Sequence, residues 1–279
     1  MKRFDLNTDL TYEIWLNSEG AMESNTVREY YDEFLRSRMV NYRLYGNLRL
    51  DRAAERILPF VGTDSKVLDI GCGIGIVTSK VAARASRGHV WGIDLGRKNI
   101  WYARQTVQNA NLTFLEANVV TDFEAIRKQL PAKMDVVMMV DVIEHIPAEA
   151  RPDLLVKIRA LCSDDAVMLL TYPSPQYQEF LREHDPNEIQ IIDNIVLLEE
   201  LLKEARMAGF SLKHYSLENV WMRNQYVHCV FQTLAAITPA NPGARPIRIV
   251  PDLSSAFKKW VLVPYRRHKY ITRVFGESK

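Results

Sequence analysis

The chain has 279 residues, enough for one α/β domain of ordinary size with length left over at either end. Hydrophobic residues at 47% and charged residues at 25% make a globular composition and exclude a disordered chain. A formal net charge of +2 gives no reason to expect a nucleic-acid partner, and no run approaches the ~18 consecutive apolar residues of a spanning helix.

In chain order, residues 24–60 read as helical. Val27, Tyr30, Tyr31 and Phe34 fall at helical spacing, as do Leu50, Ala53, Ala54, Ile57 and Leu58, and Gly46-Asn47 separates the two groups. Strands and helices then alternate: Lys66–Ile70, helix Val77–Ala85, His89–Ile93, helix Lys98–Asn109, Leu112–Glu116 and helix Asp122–Leu130, which Pro131 closes. Asp135–Val140 and Ala166–Thr171 are apolar runs of the kind buried on both faces of a sheet, with helix Arg151–Leu161 between them. This rhythm predicts a parallel sheet covered on both sides. Beyond Tyr172 it breaks. Pro173–Glu188 is polar and aromatic, Ile195–Ala208 is a helix ended by Gly209, and Phe210–Leu217 and Gln225–Ala235 are two further strands. Thr238–Asp252, with four prolines, reads as a linker.

The chemistry starts at Val67-Leu68-Asp69-Ile70-Gly71-Cys72-Gly73-Ile74-Gly75, a strand running into a glycine-rich turn that opens a helix. Glycines there let the backbone turn tightly or approach a ligand with no Cβ in the way. A dinucleotide-binding turn wants a third glycine at position 76 to admit a pyrophosphate, and this chain has Ile76. Asp69 would repel phosphates but suits a cation such as the amino group of a methionine moiety, so the loop favours S-adenosylmethionine (SAM) over NAD. Asp94, in Gly92-Ile93-Asp94-Leu95, ends the second strand near the spacing at which an acid grips ribose hydroxyls.

VLDIGCGIG, GIDL and DVIEHI together resemble the class I SAM-dependent methyltransferases, over roughly residues 60–235. The resemblance implies a Rossmann-like, mostly parallel seven-stranded sheet with an antiparallel last strand, and SAM held by Asp69, Gly71, Cys72, Gly73, Gly75, Asp94, Leu95 and Asp141. In that family the residue after the third strand holds the adenine amino group, usually through Asp. Here that position is Asn118, followed by Val119, and an amide oxygen can still accept the bond.

The fourth strand delivers Asp141-Val142-Ile143-Glu144-His145-Ile146-Pro147. In a helical turn, Asp141, Glu144 and His145 would share a face. A hydroxyl acceptor loses its proton as it attacks a sulfonium methyl, and a histidine near neutral pKa is a natural base, which makes His145 and Glu144 the catalytic candidates. Two alternatives stay open: the pair braces the following helix, or it joins His184 in holding a divalent metal such as magnesium, as in the small-RNA 2′-O-methyltransferases with a similar acid-x-x-Glu-His run. Tyr172–Gln178, Arg182 and His184 are expected to roof an acceptor pocket suited to a hydroxyl-rich molecule.

The organisation expected is an N-terminal helical lid over 1–60, in which Tyr30 and Tyr31 close on SAM, a methyltransferase domain over 61–237, and a linker and basic aromatic tail over 238–279. The expected reaction is O-methylation of a polar hydroxylated small molecule or glycan. N- or C-methylation, a quinone-type acceptor, or SAM binding without turnover are the rivals. Cys72, Cys162 and Cys229, odd in number and far apart, suggest no disulfide framework. Met1–Trp15 lacks the apolar stretch of a signal peptide, so a cytoplasmic location is expected. In the tail, seven Lys and Arg residues from Lys258 to Lys279 interleave with Trp260, Tyr265 and Tyr270, a pattern that fits peripheral contact with an anionic membrane through 254–279. The oligomeric state is not readable.

Overall fold

The structure, a computed structural model, describes residues 40–190 and 192–234. Two helices open it, α1 (Val40–Tyr45) and α2 (Leu48–Ile57). Gly46, at φ 79°, turns the chain between them, and the Asn47 side chain caps α2 by accepting from Leu50 N at 3.2 Å. Alternation follows as predicted: β1 (Lys66–Ile70), α3 (Ile76–Arg84), β2 (His89–Asp94), α4 (Arg97–Thr106), β3 (Leu112–Glu116), α5 (Phe123–Gln129), β4 (Met134–Val140), α6 (Arg151–Leu161) and β5 (Cys162–Pro173). Then come α7 (Pro175–His184), α8 (Leu198–Met207), β6 (Phe210–Glu218) and β7 (Tyr226–Thr233).

The strands form one seven-stranded sheet in the order β3-β2-β1-β4-β5-β7-β6. β7 runs antiparallel to both its neighbours, and the other pairings are parallel. The chain winds outward from β1 to β3, then returns to β4 on the other side of β1. The ends of β1 and β4 therefore flank the crevice where such sheets bind ligands.

Both faces are covered, which is why the central strands read as unbroken apolar runs. Residues alternate along β4: Val136 and Met138 pack with Val67, Leu169 and the Ala54, Ile57, Val77 and Val81 side chains of α2 and α3. Val137 and Met139 face the opposite way, onto Ile126, Leu154, Ile158 and Leu201 of α5, α6 and α8. Each fully buried aliphatic side chain contributes about 1.5–3 kcal/mol, so the central strands are the most stable part of the scaffold.

Two segments differ from the sequence reading. β5 begins four residues earlier than the apolar run, at Cys162, because backbone pairing with Met134 extends the strand through polar Ser163–Asp165. The polar and aromatic stretch after β5, for which no element is predicted, carries a helix. Ser174 Oγ accepts from Tyr177 N at 3.2 Å and Pro175 occupies the first turn, an N-terminal signature that starts α7.

Candidate functional site

The glycine turn after β1 is fixed from two sides. Gly71 N and Cys72 N both donate to Ile93 O, at 2.7 and 2.9 Å, which ties the turn to β2. Gly71 sits at φ 75°, and a Cβ there would stand 2.2 Å from Val142 Cγ2 at the end of β4. Gly75, at φ 76°, would place a Cβ 2.7 Å from Phe114 Cζ. The turn is thus wedged between the Phe114 ring of β3 and the Val142 side chain just past β4, and no side chain other than hydrogen fits at these positions without moving them.

Beyond the strand ends lies a cavity of about 200 Å³. Asp69, Gly71, Cys72, Gly73, Asp94, Leu95, Asn118, Val119, Asp141 and His145, all singled out from the sequence, line it. Gly75 and Glu144 do not. Asp69 is 2% exposed and accepts from Thr78 Oγ1 at 2.6 Å. Burial, with the Asp94 charge adding to it against the Thr78 bond, pushes its carboxyl up to about 7. An acid in this state is short of a cation. Asp94 Oδ2 accepts from Gly73 N at 2.8 Å, while Oδ1 accepts from Gly96 N at 2.8 Å and Asn99 Nδ2 at 3.0 Å. Those bonds hold the carboxylate rigidly at the cavity edge. The Asn118 amide oxygen already accepts from Val120 N at 2.9 Å, so its second lone pair is what remains for a ligand.

The end of β4 departs from the expected helical turn. Asp141 takes the left-handed region at φ 55°, and only Ile143–His145 form a short 3₁₀ turn. Asp141 and His145 consequently face the cavity while Glu144 turns beneath them, 1% exposed, and the three do not share a face. Burial raises the Glu144 carboxyl to about 8, with the Asp193 charge reinforcing it, and Oε2 has no hydrogen-bond partner. His145 Nδ1 lies 2.5 Å from Ile192 O, which assigns the ring proton to Nδ1, and Nε2 is 3.8 Å from Glu144 Oε1. Burial lowers the His145 pKa, with the Arg49 charge acting in the same direction against Asp193 and the Ile192 carbonyl. The ring is neutral at pH 7, as a base requires.

Sequence reasoning missed Arg49. It pairs with Asp141, lies over the Tyr226 ring at 5.7 Å, and is the sole Lys or Arg lining the cavity among the described residues. The buried stripe Ala53, Ala54 and Ile57 docks α2 on the sheet and turns the Arg49 flank toward the β4 end. Arg43 Nη2 adds a bond to Ile74 O at 2.6 Å, so α1 reaches the glycine turn as well, and Tyr42 and Leu50 complete this wall.

The expected roof is corrected. Tyr172 is fully buried in the core, and neither it nor Ser174–Gln178, Arg182 or His184 lines the cavity. Gln178 and Arg182 instead bond Asp193, and this buttresses Gln190 and Ile192, which form the wall. His184 is exposed and stacks on Phe180 with ring centroids 4.4 Å apart, and no group of three or more His, Cys, Asp or Glu side chains among the described residues converges as a metal site. The alternative reading of a metal held by Glu144, His145 and His184 therefore finds no ligand set among the described residues. Cys72, Cys162 and Cys229 are free and buried. No described helix is long and apolar enough to cross a membrane. Tyr30, Tyr31, the linker and the tail 254–279 lie outside the described residues.

A family model described as a methyltransferase domain matches residues 42–238. The chain belongs to this family, the class I SAM-dependent methyltransferases. The ubiquinone biosynthesis O-methyltransferase of Bordetella parapertussis is 28% identical over 193 residues, covering 63% of this chain and 72% of that protein. That of Paraburkholderia phytofirmans is 39% identical over 89 residues, 30% of this chain and 34% of that protein, so the chain spans about a third of such relatives. Among solved structures, the magnesium protoporphyrin IX methyltransferase of Synechocystis with bound SAH superposes with a TM-score of 0.58 at 18% identity, covering 76% of this chain and 99% of that one. The DhpI–SAH complex gives 0.55 at 15% identity, covering 78% and 98%. At these identities the structures establish a shared fold.

Proposed function

We propose that the protein transfers the methyl group of SAM to a hydroxyl oxygen of a small-molecule acceptor. The observation that carries this is the charge layout of one cavity: a cation-seeking Asp69, a braced Asp94, a single Arg49, and a neutral His145 at the β4 end. SAM is a zwitterion with a sulfonium, an ammonium, a carboxylate and a ribose diol, and each has a complement in this set. Asp69 suits the ammonium, directly or through water. Arg49, whose one carboxylate partner leaves guanidinium N–H groups to spare, suits the carboxylate. Asp94 suits the diol, and Asn118 with Val119 the adenine edge.

Bound there, SAM would supply a methyl group already activated by positive sulfur. The chain's part is to hold the acceptor in line, exclude water and take the hydroxyl proton. His145 Nε2 is the basic nitrogen for that proton, because Nδ1 donates to Ile192 O. Glu144, uncharged at neutral pH, sits behind the ring as a positioning residue.

Oxygen is favoured as the nucleophile by the names of the two relatives given above, both ubiquinone biosynthesis O-methyltransferases. A phenolic, quinone-type acceptor is a second reading, favoured by a wall of Tyr42, Val142, Ile146 and Ile192 that is more apolar than the expected roof. The test is incubation with methyl-labelled SAM and paired phenolic and aliphatic polyol acceptors, followed by mass spectrometry. Label on a hydroxyl oxygen supports the reading, whereas label on nitrogen or carbon, or none with either acceptor class, counts against it.

A further inference from the structure

A histidine that takes a proton at one ring nitrogen needs its other nitrogen committed, and the bond made there decides the tautomer. For His145 that bond comes from a strap, residues 192–194, which belongs to no helix or strand. Ile192 O stands 2.5 Å from His145 Nδ1. Two residues on, Asn194 N donates to Glu144 O at 2.8 Å, and the side-chain Nδ2 donates to Glu144 O and to Ile146 O, each at 3.1 Å. The amide orientation follows from those partners, because its oxygen in the same place would face two acceptors. One side chain thus grips the carbonyls on either side of His145, while the residue two positions before it meets the ring. Backbone and ring of His145 are held by the same three residues.

The strap is also fixed from its other side. The Asp193 carboxylate accepts from Gln178 Nε2 of α7 and from Gln190 N, at 3.3 Å for the second, and Arg182 donates to the Asp193 carbonyl. Gln178 is fully buried, and Val196, just past the strap, is part of the core. The electrostatics point the same way. Burial opposes a charged His145 ring, and Arg49 adds to that opposition. The two influences that favour the protonated ring, the Asp193 charge and the Ile192 carbonyl, both come from the strap.

We propose that Asn194 is a positioning residue for methyl transfer: by clamping Glu144 O and Ile146 O it keeps Ile192 O on His145 Nδ1, and so reserves Nε2 for the proton of the acceptor hydroxyl. The proposal rests on the reading of His145 as the base. It adds a coupling, because Ile192 also lines the cavity, as do Val142 and Ile146. The clamp therefore sets the acceptor wall and the base together. Its loss should impair turnover of the acceptor and spare the cofactor side of the cavity, which is built on the ends of β1 and β2.

The test reads the ring directly, in the full chain with histidine isotope-labelled at both ring nitrogens. Long-range proton–nitrogen spectra at neutral pH distinguish a protonated ring nitrogen from a bare one, and the His145 signals are those missing from His145→Gln. The wild type is expected to carry its ring proton on Nδ1. Asn194→Ala should lose that preference, with kcat lowered by up to about 10²-fold and calorimetric SAH affinity within about twofold of wild type. Asn194→Ser, which keeps a donor of shorter reach, should recover part of both the tautomer and kcat. A wild-type proton on Nε2, an Asn194→Ala ring indistinguishable from wild type, or SAH affinity that falls in step with kcat would overturn the proposal. The ring is read with no acceptor present, so the spectra decide the clamp even where no acceptor is methylated, an outcome that would refute the methyl-transfer reading instead.

Discussion

Gly71→Ala isolates the packing on which the cavity depends. Its φ of 75° is a left-handed conformation, which costs an L-residue roughly 1–2 kcal/mol. The new methyl group would also stand 2.2 Å from Val142 Cγ2, far inside contact distance, and relief by moving the β4 end adds the roughly 1–3 kcal/mol typical of overpacking. The two sum to a destabilisation of about 2–5 kcal/mol, measurable by urea unfolding. Calorimetric SAH binding should fall as well, because Asp141 and His145 ride on the displaced segment. Val142→Ala in the same chain removes Cγ2 and leaves Val142 Cβ at 3.4 Å, an acceptable contact. It should recover the overpacking part and leave the φ strain. A Gly71→Ala protein within 0.5 kcal/mol of wild type, or a double variant no better than the single one, would refute the claim that this turn is wedged by β4.

Three other expectations follow from the site. Asp94→Ala should weaken SAH binding by about 1.5–3 kcal/mol and also lower stability, since three donors lose their acceptor; unaltered calorimetric affinity would remove Asp94 from the site. Glu144, raised from 4.5 to about 8 in the folded protein, binds a proton there that the unfolded chain has released, so stability should fall as pH rises from 4.5 to 8, by at most ~1.4 kcal/mol per pH unit. Glu144→Gln should flatten that slope in thermal melts, and an unchanged slope would mean the carboxyl is not protonated. His145→Ala should lower kcat by ~10²–10⁴ while SAH affinity holds, and the wild-type kcat at saturating SAM should be level at neutral pH and fall only below the lowered His145 pKa; a fully active variant would leave the ring a bracing role.

The sheet was legible because its strands announce themselves twice, as apolar runs and as places where glycine or an acid ends them. Asp69 and Asp94 were legible for the same reason: each is contiguous with its strand, and a strand end is a known position. Arg49 was not. The stripe Leu50, Ala53, Ala54 and Ile57 predicted a helix, but which flank of that helix would meet the β4 end depends on how it docks, and sequence spacing does not contain that. The Asp141, Glu144 and His145 grouping failed on backbone conformation. A helical turn was assumed, whereas the left-handed Asp141 and a 3₁₀ turn send Glu144 under the sheet edge. Helix α7 had a local signal in Ser174-Pro175, masked by the aromatic and polar residues after it. The wall made by Gln190 and Ile192 had none, because it is shaped by Asp193 contacts with α7 rather than by any pattern of its own.

The central claim, that one cavity binds SAM through opposed charges, is tested most directly by calorimetric titration of SAM into the wild type and into Arg49→Met, with NAD as the comparison ligand. The account predicts saturable SAM binding that strengthens as pH rises through about 7, where Asp69 becomes the carboxylate its cationic partner needs, and that weakens about tenfold or more in Arg49→Met. Absence of SAM binding, binding of NAD at similar strength, or an Arg49→Met protein that binds SAM as the wild type does would contradict it.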